Sequence, residues 1–158
     1  MMRMRDLLTL DTTYFQVEAV NKKKLLEDVA EQLAQLNPNL EVSTVFDALL
    51  ARERLGSTAL GEGIALPHCR LDCCHKPHGV LLTLKEPIDY DAQDNQAVDI
   101  IFMLLVPDSD PEEHLNTLSH IAALFSQAEY REALRAASSK EALYQAAINS
   151  TIELELAS

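Results

Sequence analysis

Apolar side chains recur at Leu25, Leu26, Val29, Leu33 and Leu36, the spacing of one helical face, and predict a helix over about 22 to 36. Asn21 supplies an N-cap for it, and Asn37-Pro38-Asn39 breaks it. A second stripe, Val45, Phe46, Leu49 and Leu50, predicts a helix over about 42 to 55 that stops at Gly56, a natural C′ glycine. The pattern then changes. Gly79 to Leu84 is a short apolar run, read as a buried strand, and Val98 to Val106 is a longer one, rich in branched side chains and read as the central strand. Shorter strands are expected near 14–19, 58–60 and 63–66, after an irregular start.

Asp110-Pro111-Glu112-Glu113 combines an N-cap, a proline at the first helical position and acids that suit the helix dipole. The helix it opens runs to about Ser126 through Leu115, Leu118, Ala122 and Phe125. Ser138-Ser139-Lys140-Glu141 reads as a capping box for a last helix reaching about Asn149. Thr151 to Ser158 alternates Ile152, Leu154 and Leu156 with acids, as an edge strand or a frayed end. Helices and strands interleave without regular βαβ alternation. That argues an α+β fold, or a three-layer sandwich around a mixed sheet, with residues 7–149 as a single domain and 150–158 as a C-terminal tail.

Composition narrows the function classes. The 158 residues suffice for one core, and 47% hydrophobic with 24% charged residues is ordinary for a globular protein. No apolar run is long enough to span a membrane, Val98 to Val106 being interrupted by Asp99. No signal-type cleavage site follows the basic start, so a cytoplasmic protein is expected, without membrane insertion. The net charge of −12 repels nucleic acid and favours a basic protein partner. Lys22-Lys23-Lys24, the only basic block, reads as a solvated face. Cys69, Cys73 and Cys74 are too few and too close for a disulfide framework, and they fit a reducing compartment. With His75 and His78 they could complete a tetrahedral zinc site, but no second knuckle exists, and no metal is expected.

The chemistry concentrates in Arg52 to Cys69, which holds three of the four glycines and places His68 directly after an apolar run and Pro67. Neutral imidazole is a good nucleophile toward phosphorus, and its ordinary pKa of about 6.5 leaves it largely neutral in a cell. Pro67 fixes the backbone before His68, while Gly61 and Gly63 permit close approach of backbone or partner. The bland alternative is a structural histidine that ends a strand.

This segment resembles the enzyme IIA domains of the bacterial phosphotransferase system, fructose/mannitol type, and within them the nitrogen-regulatory IIA proteins. Glu53, Leu60, Gly61, Ile64, Ala65, Leu66, Pro67, His68 and Cys69 fill every slot of that family's signature. The resemblance extends to Val106-Pro107 and to the His-Leu-x-Thr-Leu-Ser run that begins at His114. It implies a mixed β-sheet flanked by helices on both faces. It also implies that His68 accepts a phosphoryl group, at Nε2, from an HPr-type phosphocarrier protein, with no cofactor. Arg52 would neutralise phosphoryl oxygens, and His114 would support the transfer with a hydrogen bond. His120 is read as packing or surface, Glu62 as a solvated turn residue, and Ser57 and Thr58 as weak candidates for phosphate contact through their hydroxyls. Regulatory targets such as sensor kinases or potassium-transport components follow from the resemblance. Two alternatives stand beside it: a sugar-uptake IIA that passes phosphate to a IIB domain, and a non-catalytic partner- or metal-binding module.

Overall fold

The computed structural model describes residues 3–109 and 111–149. Its elements run α1 (Met4–Leu7), a 3-10 turn (Leu10–Thr12), β1 (Thr13–Val17), α2 (Lys22–Leu36), α3 (Val42–Arg54), β2 (Ala59–Gly61), β3 (Ile64–Ala65) and β4 (His68–Leu71). They continue with β5 (His78–Ile88), β6 (Val98–Pro107), α4 (Pro111–Phe125), α5 (Ala128–Ala136) and α6 (Lys140–Ile148). The readings of Asp110 as a cap and of Thr151 to Ser158 as a strand or tail lie outside the described residues.

The sheet is six-stranded and mixed, in the order β1-β5-β6-β3-β2, with β4 also on β6. β5 and β6 form an antiparallel pair; β1 runs parallel to β5, and β3 and β4 run parallel to β6. Side chains of β6 alternate between two cores. Ile101, Met103 and Leu105 face Leu25, Leu26, Val45 and Leu49 of α2 and α3. Ile100, Phe102 and Leu104 join Ile121, Leu124, Leu134 and Leu143 of α4, α5 and α6. Both faces being covered explains why the β6 sequence is a continuous apolar run. The expected fold class, a mixed sheet with helices on both faces, is the observed one.

The register of β3 and β4 on β6 is constant: Ile64 pairs with Ile100, Ala65 with Ile101, His68 with Leu104 and Cys69 with Leu105. The two are halves of one line, joined by the Leu104 amide donating to the Pro67 carbonyl at 2.9 Å. Pro67 has no N–H of its own to give, which divides the strand immediately before His68.

Several expectations change. β4 and α5 were not foreseen, and β5 extends to Ile88, beyond the expected Leu84. The buried stripe of α4 is His114, Thr117, Ile121, Leu124 and Phe125, and Leu115 turns outward, 65% exposed. Leu36, the last residue of α2, is likewise exposed, while Leu33 one turn earlier is buried. The last helix is capped by Ser139, whose Oγ accepts from the Ala142 amide at 3.0 Å, so the Ser138–Glu141 box does not form. Lys22 is not part of a solvated face. Its Nζ lies 3.0 Å from Glu53 Oε2 and 3.5 Å from Asp91 Oδ2, partners distant in sequence.

The β2–β3 turn is held from α5. Arg135 donates through Nη2 to the Glu62 carbonyl at 2.6 Å and grips Asp99 through Nε and Nη2 at 3.0 and 2.8 Å. Gly63, at φ +80°, sits under this clamp, and a Cβ there would lie 2.6 Å from Arg135 Nη2. The close approach at Gly63 is thus to the protein's own arginine.

Candidate functional site

His68 begins β4 and is half-buried. Cys69 and Leu71 turn into the α2–α3 core, so strand alternation turns His68 toward the face that α4 covers. Its Nδ1 lies 2.8 Å from the Leu66 carbonyl, and the Arg52 Nε–H donates to its Nε2 at 3.3 Å. A carbonyl can only accept and a guanidinium can only donate. The ring that satisfies both is neutral, with its proton on Nδ1 and a lone pair on Nε2. Burial lowers the His68 pKa below the ordinary histidine value, opposed by the Leu66 carbonyl bond; nearby Arg52 lowers it further, and Glu53 raises it.

The Leu66 carbonyl is available because of the strand arrangement. The Leu66 amide donates to the Thr58 carbonyl at 3.0 Å, on the side of the strand away from β6. The chain leading into β2 lies on that side, and the Thr58 amide is taken by Glu53 at 3.3 Å, leaving the Leu66 oxygen to the imidazole.

Arg52 lies in the last turn of α3 and donates through Nη1 to the Gly56 carbonyl at 2.9 Å. One guanidinium therefore satisfies a carbonyl beyond the helix end and reaches the imidazole, so the structure brings Arg52 and His68 together. His114 is buried on the sheet-facing stripe of α4, and its Nδ1 has no hydrogen-bond partner among the described residues. His114 and His68 share a face of the sheet by strand and helix periodicity, and among the described residues no hydrogen bond joins their rings.

The residues sequence reasoning underrated surround Glu53. This carboxylate is buried, although it stands in the last turn of α3, where the helix dipole disfavours an acid. Four donors compensate. Lys22 Nζ (3.0 Å) and the Thr58 amide (3.3 Å) reach Oε2, and Tyr90 Oη (3.2 Å) and Thr58 Oγ1 reach Oε1. An acid at a helix C-terminus was the available signal, and it went unused. Thr58 Oγ1 is thus committed to Glu53, and Ser57 Oγ donates to the Tyr90 carbonyl at 2.6 Å, so both hydroxyls serve internal bonds.

His120 is exposed, as is Glu62, whose amide donates to Asp94 Oδ2 at 2.9 Å. Cys69 is buried, which pushes its thiol up to about 12, and Cys74 Sγ donates to the Lys76 carbonyl at 2.9 Å. Among the described residues no group of three or more His, Cys, Asp or Glu side chains is placed to hold a metal ion. No helix of the described residues is long and apolar enough to cross a membrane.

The family model described as phosphoenolpyruvate-dependent sugar phosphotransferase system, EIIA 2, matches residues 6–150. A "Nitrogen regulatory protein" of Pseudomonas aeruginosa is 44% identical over 149 residues, covering 94% of this chain and 97% of that one. One from Escherichia coli K12 is 41% identical over 145 residues, covering 91% and 88%. The crystal structure of nitrogen regulatory protein IIA-Ntr from Neisseria meningitidis superposes with a TM-score of 0.82 at 38% identity, covering 92% of this chain and 97% of that one. IIA mannitol from Escherichia coli, at 21% identity, shares the fold with a TM-score of 0.73 over 88% and 97%. Family model, relatives and fold agree, and the chain belongs to the EIIA type 2 family of the phosphoenolpyruvate-dependent sugar phosphotransferase system.

Proposed function

We propose that this chain is a phosphoryl carrier of the nitrogen-regulatory branch of the phosphotransferase system, with His68 as acceptor. The carrying observation is the neutral ring held from both ends, by the Leu66 carbonyl at Nδ1 and by Arg52 at Nε2. The donor is the phosphohistidine of an HPr-type carrier. In the transfer the Nε2 lone pair forms a bond to phosphorus as the P–N bond to the donor imidazole breaks, and that electron pair returns to the donor ring. Positive charge that develops on His68 is shared through Nδ1–H with the Leu66 carbonyl. Arg52 moves its donor from Nε2 to the equatorial phosphoryl oxygens, so its charge is already in place.

His114 is the supporting residue, its unpartnered Nδ1 a buried atom that a phosphoryl group or its bound water would satisfy. Leu55 and Leu115, 85% and 65% exposed, follow closely after Arg52 and His114 in the chain and supply apolar surface from which a docked carrier would exclude water. The nitrogen-regulatory role is supported by identities of 41–44% to proteins of that name, against 28% to the fructose-specific EIIABC component of Bacillus subtilis. Phosphorylation adds a charge of about −1.5 to −2 to an already acidic surface. Targets that read the unmodified face, sensor kinases or potassium-transport components, would then be released.

The test is incubation with phosphoenolpyruvate, the first enzyme of the system and an HPr-type carrier. One acid-labile, alkali-stable phosphoryl group should appear, and His68→Ala should abolish it. Undiminished label on His68→Ala refutes the assignment.

A further inference from the structure

We propose that Glu53 is a positioning residue for the acceptor: its buried carboxylate holds both the helix end that carries Arg52 and the segment that fixes the Leu66 carbonyl. The inference rests on the reading of His68 as acceptor, and it assigns a role to a residue that touches neither the imidazole nor the phosphoryl group.

Two routes lead from Glu53 to the two nitrogens of His68. Along the first, Glu53 holds Thr58 by its amide and its hydroxyl. The Thr58 carbonyl accepts from the Leu66 amide at 3.0 Å, and the Leu66 carbonyl accepts from His68 Nδ1–H at 2.8 Å. Each bond fixes the backbone that presents the next. Along the second route, Glu53 adjoins Arg52 in the last turn of α3, and Tyr90 and Lys22 anchor that turn from the β5–β6 connection and the start of α2. The anchors are rigid. Tyr90 is fully buried and Lys22 Nζ sits 4.6 Å from the centre of its ring. The same connection holds Ser57, which accepts from the Ala59 amide at 3.2 Å.

A buried carboxylate with four donors has a plainer reading, as an ion pair that contributes only to folding, and such pairs often add little stability. The two readings differ in what they say about the imidazole. A purely structural Glu53 leaves the His68 tautomer and transfer rate alone in any variant that folds. A positioning Glu53 does not, since a displacement of about 1 Å at a reacting group costs up to about 10²-fold in rate.

The experiment compares Glu53→Ala, Glu53→Gln and Tyr90→Phe with the unaltered chain. The ¹⁵N ring signals of His68 are followed against pH, and single-turnover transfer from a phosphorylated HPr-type carrier is timed. The unaltered chain should show the Nδ1–H form. Glu53→Ala should mix the two tautomers and slow transfer about tenfold or more. Glu53→Gln, which keeps a carbonyl acceptor, should recover most of both. Tyr90→Phe removes one donor and should slow transfer about fivefold, the worth of a single hydrogen bond. Wild-type ring signals and rate in folded Glu53→Ala overturn the proposal; if that variant does not fold, the same result in Tyr90→Phe overturns it. If the unaltered chain takes up no phosphoryl group, the acceptor reading fails separately, while the ring signals still test the positioning.

Discussion

The Nε–H of Arg52 is aimed at Nε2 of His68 across 3.3 Å, occupying the lone pair that a phosphoryl group would claim. On the proposed reading, the resting site keeps the attacking nitrogen covered by the group that would then neutralise the incoming charge. On that reading the guanidinium would both cover nitrogen and bind oxygens, so its planar fork would matter as well as its charge.

Arg52→Lys should slow transfer about tenfold and Arg52→Gln about 10²-fold, the range for losing one preorganised donor to developing charge. Single-turnover transfer, with carrier binding measured separately, checks this. Full activity in Arg52→Lys would mean that charge alone suffices.

His114→Leu should slow transfer and leave stability unchanged or raised. The buried Nδ1 has no partner among the described residues, and an unsatisfied buried polar atom costs about 1–3 kcal/mol. Urea unfolding at neutral pH decides the point: a loss of about 2 kcal/mol or more would show that His114 is bonded in solution.

The folded-state pKa of His68 lies below its unfolded value of about 6.5, chiefly through burial. The imidazole therefore stays neutral in the folded protein as pH falls past that value, while the unfolded chain already binds a proton. Stability from this group is full above about 6.5 and is lost as pH drops from there toward the folded value. Transfer should persist at mildly acidic pH. Since the Arg52 charge also lowers the pKa, Arg52→Gln should move the His68 ring titration upward.

Arg135→Ala should cost about 1 kcal/mol, modest because the clamp on Asp99 is partly exposed. Gly63→Ala should cost about 1–3 kcal/mol, from its positive φ and from a Cβ driven against the same guanidinium. The two changes should be non-additive, since removing Arg135 takes away the closer contact and leaves only Asp99 Oδ1, at 2.9 Å, against the new Cβ. Urea unfolding of the double variant measures the coupling, and simple additivity would show that the two do not interact.

Much of the fold was legible because burial on one face writes a period into the sequence. α2 and α3 carry apolar residues at helical spacing, and β6 is apolar throughout because both its faces are covered. α5 was not legible: it buries only Tyr130 and Leu134, and Gln127 offers no side-chain cap bond. β4 escaped because His68 and Arg70 alternate with Cys69 and Leu71 over four residues, too short a run to register. At the site, His68 and Arg52 could be found from local spacing. Glu53, Lys22 and Tyr90 could not be joined in advance, since they come from three distant segments, and Ser57 and Thr58 were misjudged for the same reason.

His68 is seated by a parallel strand that follows it in the chain, Leu104 lying opposite it and donating to Pro67. During synthesis the imidazole and its two hydrogen-bond partners, Leu66 and Arg52, emerge before the strand that carries Leu104, and parallel pairing must wait for the intervening hairpin to close. A copy lacking β6 carries the same histidine without the strand on which Pro67 and His68 are seated. If His68 is the acceptor, the phosphorylated fraction would report only copies whose sheet is complete.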